Sequence, residues 1–531
     1  MRTKFWANNI LLTEMSNKEK MDIRRTCIGV QVVNDYFKID NNMFNRVYLG
    51  IFDEPKHVKR DDINPKARDY QKKDVEAMLS REHVLNRNKP GYGKTFETIE
   101  YCRLLGLKRI LIICPKSVTT QWKQQFKLWW PEVEPNVVVG GDGPKRGEKS
   151  IFVTNYEQLT FRNIAPKGSR MKQLQPSQVW QRCKEWVWDV IICDESHRIK
   201  NPQAQVTKAI KQLPSIRRVA LTGTPVLNHP DDLWSQLHFL DPEIAGRNYW
   251  NFVNRFCEVE DGHFGKKIIG VTPSSSAKDL LSKTLSLISV GGHNHNVTAG
   301  KNKIDIELEM DHAQKKLYRQ TTNLVIDDLN KQGITVKNAM DQMVKLQLIS
   351  TNCQSFKSVD EQGVEKIICP RNPKFEWVKD WLEDNEEKVV VFTKFAKAAK
   401  ELNKYLEKNK INSVLYIGEM SEKTRTASKE KFGQYNAVRV LIGTIGALGT
   451  GVDGLQHVCN NVIFLDRDWT PGINEQAEQR VDRSGQKDMT NIWLLSMKGS
   501  VDKYVENMIN KKAEDIEEVF KNVRTGFGSW E

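Results

Sequence analysis

Six side chains carry the types and spacings that suit the handling of a phosphate ester: Lys94, Thr95, Asp194, Glu195, Arg480 and Arg483. The first two close the stretch Asn88-Lys89-Pro90-Gly91-Tyr92-Gly93-Lys94-Thr95, which reads as a phosphate-binding loop. Gly91 and Gly93 let backbone N–H groups turn inward around an anion. Lys94 offers a compact positive charge to the β- and γ-phosphates of a nucleotide, and Thr95 offers a hydroxyl to Mg²⁺. Pro90, Gly91, Tyr92 and Gly93 are the expected backbone contacts. The usual first glycine of the pattern is Asn88, a residue that tolerates left-handed backbone angles. The competing reading is a glycine turn that only caps a helix.

Asp194 and Glu195 follow the apolar run Val190-Ile191-Ile192-Cys193, so two acids stand at the end of a strand. In parallel sheets that end is where ligands sit. Asp194 is expected to hold Mg²⁺ through oxygen or water, and Glu195 to orient and polarise an attacking water. The alternative is a pair of solvated acids. Arg480 and Arg483 lie three apart in residues 476–486, a stretch that reads as a helix, and so share a face. Arginines so placed stabilise charge on a transferring phosphoryl group; the alternative is a charged helix face. Tyr70 and Gln71 open a helix ahead of the loop, where a glutamine amide suits the edge of an adenine, or else is a solvated helix residue. Gly451 and Asp453 belong to a glycine-rich turn of low specificity and are counted among the residues expected to bind the nucleotide.

The elements that must position these groups follow from periodicity. His83 to Leu85 reads as a short strand and Phe96 to Leu105 as a helix, which is the strand–loop–helix setting the loop needs. From about residue 65 strands and helices alternate, the pattern of a parallel sheet covered by helices. Residues 109–114, 151–156, 188–194 and 219–225 read as buried strands of that sheet. Lys116 and nearby hydroxyls sit at a helix tip suited to a nucleic-acid phosphate. Trp122, Phe126 and Trp129 recur at helical spacing and read as core. From about 241 to 372 the alternation is lost and helical patterns take over. Within it, residues 289–296 carry two histidines and read as an exposed loop rather than a metal site. From about 373 the alternation returns, with strands at 388–395, 438–444 and 461–466. Residues 1–64 hold strand-like runs at 27–33 and 46–51 and read as a small β-rich extension.

At 531 residues with a formal net charge of +14, the chain has two or three domains and suits a polyanionic partner, nucleic acid first. Nine cysteines contain no C-x-x-C pair, which argues against structural zinc and for a reducing compartment. No run reaches membrane-spanning length, and no signal-peptide pattern opens the chain.

Taken in order, the phosphate loop, CPKSVTTQW, TNYEQL, DESHRIKNP and LTGTPVLN resemble the first motor domain of a superfamily-two helicase. DESHRIKNP with LTGTPVLNHPDDLWSQLHFLDP resembles the Swi/Snf branch, in which Ser196 replaces the usual alanine. Residues 476–486 resemble its QAxxRxHRxGQ motif, with Asp482 for the usual histidine, and Trp469-Thr470-Pro471 is similar to its W-N-P turn. The resemblance spans about 65 to 500; the family's arginine-rich segment near 290 is not visible. It implies an α/β fold of two RecA-like parallel-sheet lobes with helical insertions and a small N-terminal β-rich extension. The implied division is an accessory region at 1–64, an ATP-binding lobe at 65–240, helical protrusions and a linker at 241–372, and a second lobe with a C-terminal helix at 373–531. It implies ATP and Mg²⁺ held by Lys94, Thr95, Asp194 and Glu195, with Arg480 and Arg483 closing from the second lobe. It further implies contacts to DNA from Lys116, Thr154, Thr393, Lys394, Thr444 and Trp469. The implied activity is ATP-dependent translocation on double-stranded or branched DNA in replication, repair or recombination. A strand-separating helicase and a nucleotide-gated DNA-binding module with little turnover are the alternatives. The expected setting is a monomer, away from membranes, in bacterial or phage-infected cytoplasm or in a eukaryotic nucleus.

Overall fold

The computed structural model describes residues 1–6, 9–33, 36–139, 143–144, 150–164, 173–262, 265–293, 300–331, 336–359, 365–449, 452–483 and 485–520. The chain divides into two compact units, residues 1–294 with 512–531, and residues 295–511.

The first unit opens with an antiparallel sheet of four strands, β1 (Arg2–Trp6), β2 (Asn9–Thr13), β3 (Gln31–Val33) and β4 (Tyr36–Asp40), in the order β1-β2-β4-β3. The strand expected at 46–51 is instead the end of a helix, Met43–Tyr48. Asn42 explains the difference: its side chain caps that helix by accepting the Asn45 N–H at 2.9 Å. The extension is anchored rather than loose. Phe44 packs on Phe256 at 4.8 Å and Phe252 at 5.7 Å, and Arg46 pairs with Glu243 at 3.0 Å.

The main sheet of this unit has seven strands, all parallel. They are β5 (His83–Asn86), β6 (Arg109–Cys114), β7 (Val137–Val139), β8 (Ser150–Asn155), β11 (Trp188–Asp194), β12 (Ser215–Leu221) and β15 (Ser289–Val290), and the hairpin β9 (Phe161–Ile164) with β10 (Gln173–Pro176) lies between β8 and β11 in sequence. The order is β15-β5-β12-β11-β6-β8-β7. Strand side chains alternate between two faces, and here both faces are covered. Leu111, Ile113, Ile191 and Cys193 enter one core, while Ile110, Ile112, Val190 and Ile192 enter the other. That double burial is why these strands read as unbroken apolar runs. A hairpin of β13 (Cys257–Gly262) and β14 (Gly265–Val271) precedes the helix Ser275–Ile288.

Residues 241–293 fall within the first compact unit. One sequence expectation changes here. Ser289–Val290 is an edge strand paired with β5, and residues 289–293 are largely buried rather than an exposed loop. Residues 294–296 lie outside the described residues.

The second unit has a six-stranded parallel sheet: β16 (Lys301–Leu308), β19 (Val389–Thr393), β20 (Ser413–Tyr416), β21 (Val440–Thr444), β22 (Asn461–Phe464) and β23 (Thr490–Met497), in the order β16-β23-β22-β19-β21-β20. The short hairpin β17 (Lys357–Val359) and β18 (Glu365–Ile367) lies outside it. Val389 and Val391 enter one core and Val390 and Phe392 the other, the same double burial as in the first unit. Strand β16 starts this sheet well before residue 373, because its partner β23 comes at the far end of the chain. The helix Val501–Phe520 packs Val501, Val505 and Ile509 on Leu346. Among the described residues no helix is long and apolar enough to cross a membrane.

Candidate active site

In the first unit the loop after β5 turns through two left-handed glycines, Gly91 at φ 87° and Gly93 at φ 93°. A Cβ on Gly93 would stand 2.2 Å from Gln71 Nε2, so only glycine fits. Gly93 also caps the helix Lys94–Leu104 with no side-chain acceptor, which leaves the first-turn N–H groups aimed at the loop. The Lys94 ammonium donates to the Asn88 carbonyl at 2.7 Å. Asn88 itself does not take left-handed angles; among the described residues the non-glycine residues with positive φ are Glu14, Glu195 and Lys410.

Gln71 is buried and spends its amide on protein: its Oε1 accepts the Arg68 N–H at 3.0 Å and its Nε2 donates to the Tyr92 carbonyl at 3.0 Å. Tyr70 donates its hydroxyl to the same carbonyl at 2.9 Å. Both residues therefore hold the loop.

Asp194 ends β11, two strands from β5 in the sheet. Its Oδ2 accepts the Trp122 indole N–H at 3.0 Å and its Oδ1 the Glu195 N–H at 3.0 Å. Burial, then the neighbouring Glu195 charge, pushes the Asp194 carboxyl up to about 6, against Trp122 and Lys94, which pull it down. Glu195 sits at φ 54°, ψ 53°, a conformation that costs a non-glycine residue about 1–3 kcal/mol. Its Oε2 is shut off from solvent without a hydrogen-bond partner, 3.4 Å from His197 Nδ1. His197 Nδ1 lies 3.2 Å from Thr222 Oγ1, and burial lowers the pKa of the ring against the Glu195 charge, which raises it. Ser196 donates to Gln236 Oε1 at 2.8 Å and ties the acidic turn to the helix Asp231–Leu240. Gly223, just past β12, passes so close to the loop that a Cβ there would meet Pro90 at 2.5 Å.

These features fit a magnesium nucleotide. The glycine cradle and uncapped helix end suit phosphates, and the orphaned Glu195 oxygen suits a water or a cation.

In the second unit the helix Pro471–Glu478 stops before the arginines. The expected shared helical face at 480 and 483 is therefore absent; both lie in the turns that follow. Arg480 is buried and donates to the Gly449 carbonyl at 2.8 Å and the Val452 carbonyl at 3.2 Å. The backbone there closes shorter turns, with the Arg480 N–H on the Ala477 carbonyl at 3.1 Å and the Val481 N–H on the Glu478 carbonyl at 3.1 Å. Arg483 pairs with Asp453 at 3.1 Å. Burial would raise the Asp453 carboxyl, but Arg483 and the Gly454 N–H outweigh it and hold it below the usual range. Gly451 lies outside the described residues. Lys394, after β19, stands over the Trp469 ring at 5.6 Å and 3.8 Å from Asp468. Trp469 is fixed by donating to Gln347 Oε1 at 2.9 Å.

A SNF2-related domain matches residues 70–357, more than half of the chain, and a helicase conserved C-terminal domain matches residues 373–487. The chain belongs to the SNF2-related family. Its relatives include a SWI/SNF-related matrix-associated actin-dependent regulator of chromatin subfamily A-like protein 1 homolog of Caenorhabditis elegans, 24% identical over 85% of this chain and 61% of that protein. An uncharacterized ATP-dependent helicase of Mycoplasma genitalium is 26% identical over 96% of this chain and 47% of its own length. The chain thus spans only about half the length of such relatives. A Sulfolobus solfataricus SWI2/SNF2 ATPase core, solved in complex with double-stranded DNA, aligns over 88% of this chain and 98% of its own at 23% identity and a TM-score of 0.37.

Within the SNF2-related domain the structure brings Lys94, Thr95, Asp194 and Glu195 into one unit, on the carboxyl ends of one sheet. Lys116 is exposed and Thr444 half-exposed. Thr154 and Thr393 turn inward: Thr154 donates to Gln158 Oε1 at 2.6 Å, and Thr393 to Asp466 Oδ2 at 2.5 Å. Their hydroxyls therefore support neighbouring residues rather than face outward. Sequence reasoning missed Trp122 as a partner of Asp194. It also missed Asp466, which accepts both the Thr393 hydroxyl and, at 2.7 Å, the Lys394 N–H.

Burial pushes the Asp466 carboxyl up to about 6, against those two hydrogen bonds. A carboxyl raised above its ordinary 3.8 contributes stability that is fully present below that value and is lost as pH rises through about 6. Asp466→Asn is expected to flatten that decline in thermal denaturation scans between pH 4 and 7. A slope unchanged from the parent would refute it.

Proposed function

We propose that this chain is an ATP-dependent translocase on double-stranded DNA that remodels or anneals DNA structures in replication, repair or recombination. The observation that carries the reading is the first unit's site. A cradle of two left-handed glycines feeds Lys94 and an uncapped helix, and two acids end a strand of the same sheet. Family membership supports it, and so does the +14 charge, which suits a polyanionic track.

Bound ATP with Mg²⁺ supplies the bond to be cleaved and a cation that neutralises its charge. Lys94 and the loop N–H groups would bind the phosphates, and Thr95 and Asp194 would hold the cation. Glu195 would orient a water and take its proton, with its buried Oε2 as the acceptor. Arg480 and Arg483 are the side chains that would stabilise charge on the transferring phosphoryl group. Lys116, Lys394, Thr444 and Trp469 contact the DNA backbone, with Thr154 and Thr393 supporting them. Backbone contacts of this kind carry little sequence preference and weaken steeply with salt.

Duplex DNA is expected to raise the steady-state ATPase rate by about tenfold or more, a transition-state gain of roughly 1.4 kcal/mol. Single-stranded DNA and RNA are the comparison arms, and strong stimulation by RNA alone overturns the proposal. The relatives named helicases favour a second reading, strand separation. Displacement of a triplex strand without opening of a fork decides for translocation, and fork opening decides for the second reading.

A further inference from the structure

Beneath the phosphate loop lies a set of polar side chains that the chemistry above does not use. Asn88 is wholly buried. Its Nδ2 donates to Asp74 Oδ2 at 2.7 Å and to the two Glu97 oxygens at 3.2 and 3.1 Å. Its Oδ1 accepts the Gly292 N–H at 3.1 Å. Asp74, on the helix Asp69–Leu79, faces His293 Nε2 at 2.8 and 2.9 Å. Facing a carboxylate, that nitrogen is the protonated one. Asn86, at the end of β5, accepts the Asn88 N–H at 3.1 Å and donates to Glu97 at 2.7 Å.

Residues 291–293 reach this set from the edge strand β15. Gly291 and Gly292 have φ of 81° and 78°. A Cβ on Gly291 would stand 2.3 Å from Asn88 Oδ1, and one on Gly292 2.0 Å from Arg87 Nη1. Only glycines allow so close an approach. The residue gripped from below is the one whose carbonyl takes the Lys94 ammonium at 2.7 Å.

We propose that Asp74, Asn88 and His293 are positioning residues for nucleotide turnover, clamping the phosphate loop so that the Asn88 carbonyl, and with it Lys94, is held in place. The proposal rests on reading that loop as the nucleotide site. A buried, mutually satisfied network is rigid, and a displacement of about 1 Å at a reacting group costs on the order of a hundredfold in rate. Asn88 is then no stand-in for the glycine of the common pattern. Its amide is the node that joins two helices and the edge strand to the loop.

His293→Phe keeps a ring in the cavity and deletes the donor; His293→Gln returns an N–H at similar reach. His293→Phe is expected to lower kcat/KM for ATP by about ten- to a hundredfold, with a raised KM, and His293→Gln to recover most of it. Duplex binding without nucleotide, read by fluorescence anisotropy, is expected to stay at the parental value. A merely structural role would lower the melting temperature without moving KM. Parental kcat/KM in His293→Phe, beside a Lys94→Ala protein that has lost turnover, overturns the clamp alone. Turnover retained in Lys94→Ala overturns the nucleotide reading instead. Should His293→Phe fail to fold, Asp74→Asn removes one acceptor at constant shape; a raised KM supports the clamp, and a parental KM overturns it.

Discussion

Lys94→Ala is expected to lower ATP turnover by about 10²–10³-fold while leaving the fold intact. The size follows from what the side chain does. Its ammonium reaches across the glycine turn to the Asn88 carbonyl at 2.7 Å, so it is already held over the cradle. It is also close enough to the acids for its charge to pull the Asp194 carboxyl down. A cation so placed meets charge that grows on the phosphates in the transition state, in a site partly screened from water. Its loss is therefore a loss in kcat more than in folding. Alanine is a good helix former, and the Lys94 carbonyl that accepts the Thr98 hydroxyl at 2.7 Å stays in place. Lys94→Arg is not a rescue, because a planar fork does not replace a compact ammonium in a loop of this curvature. Single-turnover hydrolysis at saturating ATP and duplex, with a melting curve beside it, makes the check. Turnover within tenfold of the parent at an unchanged melting temperature removes Lys94 from the proposed role.

Both sheets were legible because their strands are buried on two faces and leave apolar runs such as Ile110 to Cys114. The glycine turn before Lys94 and the strand ending in Asp194 were legible because each lies in consecutive residues. Contacts between distant residues were not legible. Trp122 looked like core because helical spacing reports burial, and it is buried, yet its indole N–H serves an acid 72 residues away. His293 reaches Asp74 across 219 residues, and no local pattern marks that pair. The helix expected through 476–486 failed for a related reason. Charge spacing cannot show that Arg480 is drawn to the Gly449 and Val452 carbonyls, or that Gly485 turns at φ 100°. Ser196 replaces the motif's usual alanine, and the partner that gives its hydroxyl a use, Gln236, is 40 residues on, beyond what the motif shows.

Lys374→Ala is expected to destabilise the second unit by about 3–5 kcal/mol. Lys374 has no exposed surface. Its ammonium donates to the Leu465 carbonyl at 2.5 Å and pairs with Asp502 Oδ2 at 2.8 Å. Asp502 also accepts the Ser350 hydroxyl at 2.7 Å and the Met497 N–H at 3.0 Å. One buried ion pair thus joins the helix Pro373–Asp384, the helix Val336–Thr351, the end of β23 and the start of the last helix. Removing the lysine leaves a carboxylate in a dry site without its counter-charge, which is the large part of the cost. Asp502→Ala in the same background removes that orphan, so the double variant is expected to lose less than the sum of the two single losses. The consequence reaches function through Leu465. Its carbonyl, held by Lys374, precedes Asp466, which in turn holds Thr393 and the Lys394 N–H. Loosening it is expected to weaken duplex stimulation of the ATPase more than the unstimulated rate. Chemical denaturation of the four proteins of the cycle measures the first effect, and ATPase titrations with duplex the second. A single-variant loss below about 1 kcal/mol would place the pair among weak, surface-like ion pairs and would break the proposed link to Lys394.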